Sequence, residues 1–190
     1  MELNNVSEKT FGKEIWGPIA WHLLHTFSIG NGKKIKEEDR NSYYIFYKSF
    51  GYIIPCFICS EHYKNLSCIF MPLEKDKMSR EYIIKWVYDV HNRVNKNLGK
   101  EKYNLEDCIR KNIEHRDREI FFFIDNIYLN YNYKNISIYH FHQLMTFYIY
   151  FCKLYPNKKI RKILLKRINT DKFREISTPS EFYDWYKLMK

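Results

Sequence analysis

Apolar residues recur at helical spacing along almost the whole chain, and that spacing constrains the fold more than any other feature. Trp16, Ile19, Ala20, Leu23, Leu24 and Phe27 share one stripe; Ile83, Val87, Val90 and Val94 share a second. Recurrence at i, i+3, i+4 and i+7 gathers side chains on one face of an α-helix, whereas a half-buried strand would alternate. The expected fold class is therefore all-α. Only six glycines and five prolines interrupt the 190 residues, and a hydrophobic content of 45% supplies a core, which excludes a disordered or collagen-like chain.

Breakers and caps divide the pattern. A first helix carries the Trp16–Phe27 stripe, and a second runs from about Glu37 to Ile53, with Asp39 and Asn41 near its start and Pro55 after its end. Pro55-Cys56-Phe57-Ile58-Cys59 opens a third helix, with Pro55 in the first turn and an end near Leu66; Met71-Pro72 then marks a loop. Ser79 caps a fourth helix that Gly99 closes. A short fifth helix spans about Leu105 to Glu114, and the charged run from Glu114 to Glu119 reads as a boundary. The expected organisation is a four-helix bundle with a short fifth helix over residues 1–115, and a helical accessory domain over residues 116–190.

In the second unit Phe141, Leu144, Met145, Tyr148, Cys152 and Tyr155 keep helical spacing, but the opposite side is nearly as apolar, so this helix should be buried. His140, His142, Gln143 and Lys153 leave only about 10 uninterrupted apolar residues, against roughly 20 for a membrane span. Charge is concentrated here: residues 1–115 hold 18 basic and 15 acidic side chains, residues 116–190 hold 14 and 7. Lys158, Lys159, Arg161, Lys162, Lys166 and Arg167 surround Ile160, Ile163, Leu164 and Ile168. Such a helix suits contact with anionic lipid or nucleic acid, although a solvated face on a packed helix is the plainer expectation.

The N-terminus lacks a basic segment followed by an apolar stretch, so the expectation is synthesis in the cytosol without a secretory signal. Thiols there are kept reduced, which turns the five cysteines toward metal binding or redox chemistry. Cys56-x-x-Cys59 brings two sulfurs together at a helix start, where the dipole favours a thiolate. Cys56, Cys59, His62 and Cys68 would equally supply four zinc ligands, and alone they do not choose between the two chemistries. The surroundings do choose. Trp16-Gly17-Pro18-Ile19-Ala20-Trp21-His22-Leu23-Leu24-His25 on the first helix, and Trp86-x4-His91-Asn92-x-Val94-Asn95-x-x-Leu98-Gly99-Lys100 on the fourth, collect indole, imidazole and carboxamide groups. They suit a flat aromatic cofactor and no metal ion. A zinc-stabilised nucleic-acid-binding module built on Cys56, Cys59, His62 and Cys68 with the basic C-terminal segment is the alternative.

Over about residues 11–110 the chain resembles the Erv/ALR group of FAD-linked sulfhydryl oxidases, carried by the Trp/Gly-x3-Trp-x3-His element, Pro-Cys-x-x-Cys, and His-Asn-x-Val-Asn-x-x-Leu-x-Lys in that order. The resemblance implies a helical bundle around non-covalent FAD, electrons passing from a protein dithiol to oxygen, and hydrogen peroxide as product. It implies Cys59 facing the flavin, and Cys56 as the interchange thiol that forms a mixed disulfide with substrate before Cys59 resolves it. By the same resemblance Trp16, Gly17, Trp21, His25, His62, His91, Asn92, Val94, Asn95, Leu98 and Lys100 bind the cofactor, Lys100 near the phosphates or ribose. It further implies a homodimer, a thioredoxin-like or virion protein as substrate, and a member from a large DNA virus acting in host cytoplasm or virion.

Three departures stand out. Tyr88, Asp89 and Val90 occupy the positions just before His91 where cellular members often place a structural cysteine. No second Cys-x-x-Cys exists to shuttle electrons, so substrate reaches Cys56 directly or a lone thiol such as Cys108 or Cys152 helps. Ile54 replaces the aromatic residue that often precedes Pro-Cys. Cys68, Cys108 and Cys152 are expected to be free thiols, buried rather than catalytic.

Overall fold

The computed structural model describes residues 11–30, 34–113, 116–130 and 136–189, and every regular element among them is helical. The α-helices are α1 Lys13–Ile29, α2 Glu37–Phe50, α3 Phe57–Asn65, α4 Arg80–Asn97, α5 Leu105–Ile113, α6 Asp117–Asn130, α7 Ile138–Leu154, α8 Lys158–Ile168, α9 Asp171–Arg174 and α10 Pro179–Leu188. The expected boundary at Glu114-His115 and the N-terminal segment before Thr10 lie outside the described residues.

α1 is the central element, contacted by α4, α5 and α6. All residues from His22 to Ser28 are buried, so each of its faces is covered in this stretch. The last carbonyls of a helix lack intrahelical donors and need others when buried. Arg80, the first residue of α4 and itself 8% exposed, supplies them: Nη1 donates to the Phe27 carbonyl at 3.0 Å and to that of Ser28 at 2.7 Å, and Nη2 donates to the Tyr43 hydroxyl at 3.0 Å. Gly30 follows with φ +56°, and a Cβ there would lie 3.0 Å from the Arg80 guanidinium. Both the left-handed backbone and the close approach require glycine.

α7 lies along α2. Phe27 of α1 stacks on Phe46 of α2 with centroids 4.4 Å apart and on Phe151 of α7 at 5.5 Å; Phe147 of α7 meets Phe46 at 5.1 Å and Phe50 at 6.0 Å. On its other side α7 meets Tyr128 of α6 and Phe182 of α10 through Tyr148. This explains why its sequence is apolar all round, and no helix among the described residues is long and apolar enough to cross a membrane. One buried apolar cluster runs from Phe11 to Tyr186. Burial of each large apolar side chain contributes about 1.5–3 kcal/mol, so α6–α10 stabilise the same core as α1–α5.

The helix bounds follow the sequence pattern with two local differences. The second helix ends at Phe50, and Gly51–Ile53 form a 3-10 turn. Pro55 precedes the α3 N-cap, Cys56, instead of sitting in the first turn, because Cys56 is extended (φ −152°, ψ 113°) and its own sulfur does the capping.

Replacing Arg80 with Met should leave two buried carbonyls and the Tyr43 hydroxyl without this donor. The expected loss is about 2–4 kcal/mol, read by circular dichroism as a melting temperature lower by roughly 5–10 °C. An unchanged melting temperature would contradict the capping role.

Candidate active site

The disulfide Cys56–Cys59 stands at the N-terminus of α3, with a Cα–Cα separation of 5.2 Å. The Cys59 backbone N–H donates to Cys56 Sγ at 3.2 Å, satisfying a donor that the helix start leaves open. The same N–H and the helix dipole favour negative charge on sulfur once the bond is reduced. Both cysteines are half-buried, and Phe57 and Ile58 between them are exposed. α3 is pinned from behind: the Ser60 hydroxyl donates to the Gly51 carbonyl at 2.7 Å, and the Tyr63 hydroxyl donates to the Tyr47 carbonyl at 2.9 Å. A Cβ on Gly51 would come within 2.7 Å of Lys64 Cγ and 3.2 Å of Tyr63 Cδ1, so glycine lets the 3-10 turn lie against α3.

A second group of residues lies between α1 and α4. Trp21 stacks on His91 with centroids 4.1 Å apart and planes 7° apart, and Tyr103 covers His91 at 5.5 Å and 24°. His25 Nε2 and His91 Nδ1 are 3.0 Å apart. Burial, with the His91 and His22 charges adding to it, lowers the His25 pKa to about 3; burial, then Lys100, lowers that of His91 to about 4. Both rings are neutral near pH 7, so one nitrogen of the contact donates and the other accepts. Cys108 Sγ lies 3.4 Å from the His25 ring nitrogens, and burial pushes this thiol up to about 11.

The amides hold the chain beyond α4. Asn92 Nδ2 donates to the Tyr103 carbonyl at 3.3 Å while its Oδ1 accepts from the Tyr103 N–H at 2.8 Å, which fixes Tyr103 beside His91. Buried Asn95 donates to the Glu101 carbonyl at 3.5 Å, and its own carbonyl accepts from the Lys100 N–H at 2.9 Å. Gly99 makes the turn at φ +66°. His62 of α3 accepts from Asn97 Nδ2 at 3.1 Å, which ties the disulfide-bearing helix to the end of α4.

Thus Trp21, His25, His91, Asn92, Asn95 and Lys100 come together, and His62 joins them to Cys56 and Cys59. Trp16 is buried in the core at the start of α1, and Gly17 has open space where a Cβ would stand; no ring contact or hydrogen bond joins either to the histidine pair. Val94 is half-buried, and Leu98 is exposed at the α4 C-cap. Sequence reasoning missed Tyr103, Asn97 and the place of Cys108. An aromatic residue just past the Gly99 turn was the available sign for Tyr103.

The four zinc candidates do not converge. Cys56 and Cys59 are bonded to each other, His62 faces Asn97, and exposed Cys68 accepts from Lys48 Nζ at 2.8 Å. Among the described residues no three His, Cys, Asp or Glu side chains are gathered to hold a metal. Stacked rings, carboxamides at a helix end, and exposed Lys96, Lys100 and Lys102 without ion pairs among the described residues fit a planar redox group that carries phosphates.

The pattern of the Erv1/Alr family matches residues 18–117, just over half of the chain. The chain is 32% identical over 96 residues to a probable FAD-linked sulfhydryl oxidase of Acanthamoeba polyphaga mimivirus, covering 50% of this chain and 67% of that protein. It is 28% identical over 92 residues to a mitochondrial FAD-linked sulfhydryl oxidase of Saccharomyces cerevisiae (48% and 46%) and 27% identical over 106 residues to an FAD-linked sulfhydryl oxidase of Arabidopsis thaliana (56% and 54%). The matches therefore span two thirds of the viral relative and about half of the cellular ones. No solved structure matches the chain.

The two depressed imidazoles set a pH dependence. An unfolded chain binds protons at histidines near the ordinary 6.5, whereas the folded chain does so only near 4 and 3. The unfolded state holds more protons in that window, so stability is fully present above about 6.5 and falls as pH drops toward 4. Melting temperatures measured from pH 7 to 4.5 should decline, and His25→Gln should decline less. Equal declines would contradict the shift at His25.

Proposed function

This chain belongs to the Erv1/Alr family, and from that premise we propose that it is an FAD-linked sulfhydryl oxidase that forms disulfide bonds in protein thiols. The observation that carries this reading is the disulfide at the N-terminus of α3, joined through His62 and Asn97 to the helix that bears His91 and its ring stack.

The chemistry at the cysteines follows from their positions. A substrate thiolate attacks Cys56 Sγ, the Cys56–Cys59 bond breaks, and Cys59 leaves as a thiolate. The second substrate thiolate, and not Cys59, then resolves the mixed disulfide: it attacks the substrate sulfur and releases Cys56 as a thiolate, whereas attack of Cys59 on Cys56 would only restore the starting disulfide. The substrate has lost two electrons to the cysteine pair. The Cys59 N–H and the α3 dipole stabilise the Cys56 thiolate that departs in this second exchange. Bound FAD would supply the two-electron acceptor for the cysteine pair and the link to oxygen, with hydrogen peroxide as the product. Trp21, His25 and His91 would hold its planar parts by stacking and polar contact, and Lys100 would neutralise phosphate. Asn92 contributes by fixing Tyr103, and Asn95 by holding the turn that presents Lys100.

Cys108 and Cys152 are poor candidates for electron shuttles. Both are buried, and burial pushes Cys152 up to about 12, so both stay protonated. Direct attack of substrate on the cysteine pair, which flanks exposed Phe57 and Ile58, is the simpler route. The reading also takes residues 1–115 as the oxidase unit and residues 116–190 as an accessory unit that completes its core. A homodimer would use a surface other than the parts of α1 and α2 that α6 and α7 cover. The similarity to a mimivirus protein supports a viral setting, with virion or host-cytoplasm proteins as substrates.

The purified protein should release stoichiometric flavin on denaturation and consume oxygen with a dithiol. Cys56→Ser and Cys59→Ser should each reduce oxygen consumption to background while flavin per chain stays unchanged, because the cofactor residues lie mostly on α1 and α4. Protein without flavin, or turnover retained in either variant, would refute the assignment.

A further inference from the structure

α8 carries six cationic side chains, Lys158, Lys159, Arg161, Lys162, Lys166 and Arg167, and no acidic one. Elsewhere the surface helices pair their charges at helical spacing, as with Glu61 and Lys64, Lys85 and Asp89, Asp107 and Arg110, and Asp171 and Arg174. Among the described residues no α8 cation has an ion pair of this kind. Lys158, Arg161, Lys162 and Lys166 instead share one face of α8, together with Leu165 and the C-cap residue Asn169. Like charges three and four residues apart on a helix repel one another. The stripe therefore works against helix stability when nothing anionic lies on it.

An anionic membrane and a nucleic acid are the two partners of matching charge. A helix that lies in a membrane surface buries a whole apolar face in lipid. The apolar face of α8 is already used inside the protein, where Leu164 and Ile168 are buried and Ile160 and Leu165 half-buried; only Ile163 is exposed. What remains outward is mainly charge, and α8 itself carries no aromatic side chain on which a base could stack. We propose that the cationic face of α8 binds the phosphodiester backbone of nucleic acid without reading its sequence. This activity is separate from the disulfide chemistry and does not depend on the oxidase assignment.

The test uses the full-length protein and a fluorescein-labelled duplex of about 20 base pairs, followed by fluorescence anisotropy at increasing salt. Binding in the micromolar range at low salt is expected, with log K falling against log salt with a slope of about −3, as for three or four phosphate contacts. Replacing exposed Lys158, Lys162 and Lys166 together with Gln should weaken binding at least tenfold and flatten the slope, with an unchanged melting temperature confirming the fold. Absent binding at low salt, equal affinity in the variant, or preference for phosphatidylserine vesicles over duplex at equal phosphate concentration would overturn the proposal.

Discussion

Burial of the His22–Ser28 stretch of α1 on all its faces is the constraint on which the rest of this structure depends. A helix with His22, Leu23, Leu24, His25, Thr26, Phe27 and Ser28 all buried cannot hydrate the polar groups among them, so each needs a protein partner. His22 finds Asn112 at 2.7 Å and Thr26 at 3.3 Å, His25 finds His91, and Ser28 donates to the His25 carbonyl at 2.8 Å. The helix end finds Arg80. Thr26 and the His25 carbonyl belong to α1 itself, but Asn112 comes from α5 and His91 and Arg80 from α4, so contacts that satisfy the core also place the rings of the site. Fold and site share one set of hydrogen bonds, and a substitution at His25 is felt in both.

The disulfide obeys the opposite requirement. A thiol that exchanges with another protein must be reachable, yet its position relative to a bound redox group must be fixed. α3 meets both demands by dividing its faces. Ser60 and Tyr63 are buried and hydrogen-bonded to the turn and helix behind them, while Phe57 and Ile58 face outward beside the cysteines. Exposed apolar side chains of that size mark contact surfaces. On the proposed function, that contact would be with the polypeptide that presents its thiols to Cys56.

Much of this was legible before any coordinates. Helical spacing placed the first and fourth helices, because an amphipathic stripe reports burial directly, and caps and breakers such as Asp39, Pro55, Ser79 and Gly99 bounded the second, third and fourth. The motif order brought Cys56, Cys59, His25, His91 and Asn92 into one chemistry. Contacts made by chance of sequence distance were not legible. Tyr103 reaches His91 only through the Asn92 clamp, and His62 meets Asn97 across 35 positions. The capping sulfur of Cys56 was also hidden, since a proline before a helix reads equally as first turn or approach. Phe147 and Phe151 lie in a helix whose sequence is apolar on both sides and was therefore expected to be buried, but pattern alone does not say that their partners are Phe46 and Phe27.

Those aromatic contacts bear on how the two functions coexist. α8 packs on α7, α7 on α2, and α2 runs through the Gly51–Ile53 turn into the N-cap of α3. Each step is a buried, close-packed contact, and packed interiors transmit position faithfully because side chains have few alternative arrangements. The cationic face is thereby mounted at a fixed relation to the disulfide without sharing a residue with it. On the two proposals together, the positive charge on α8 would bear on where the protein is held and the cysteine pair on what it oxidises.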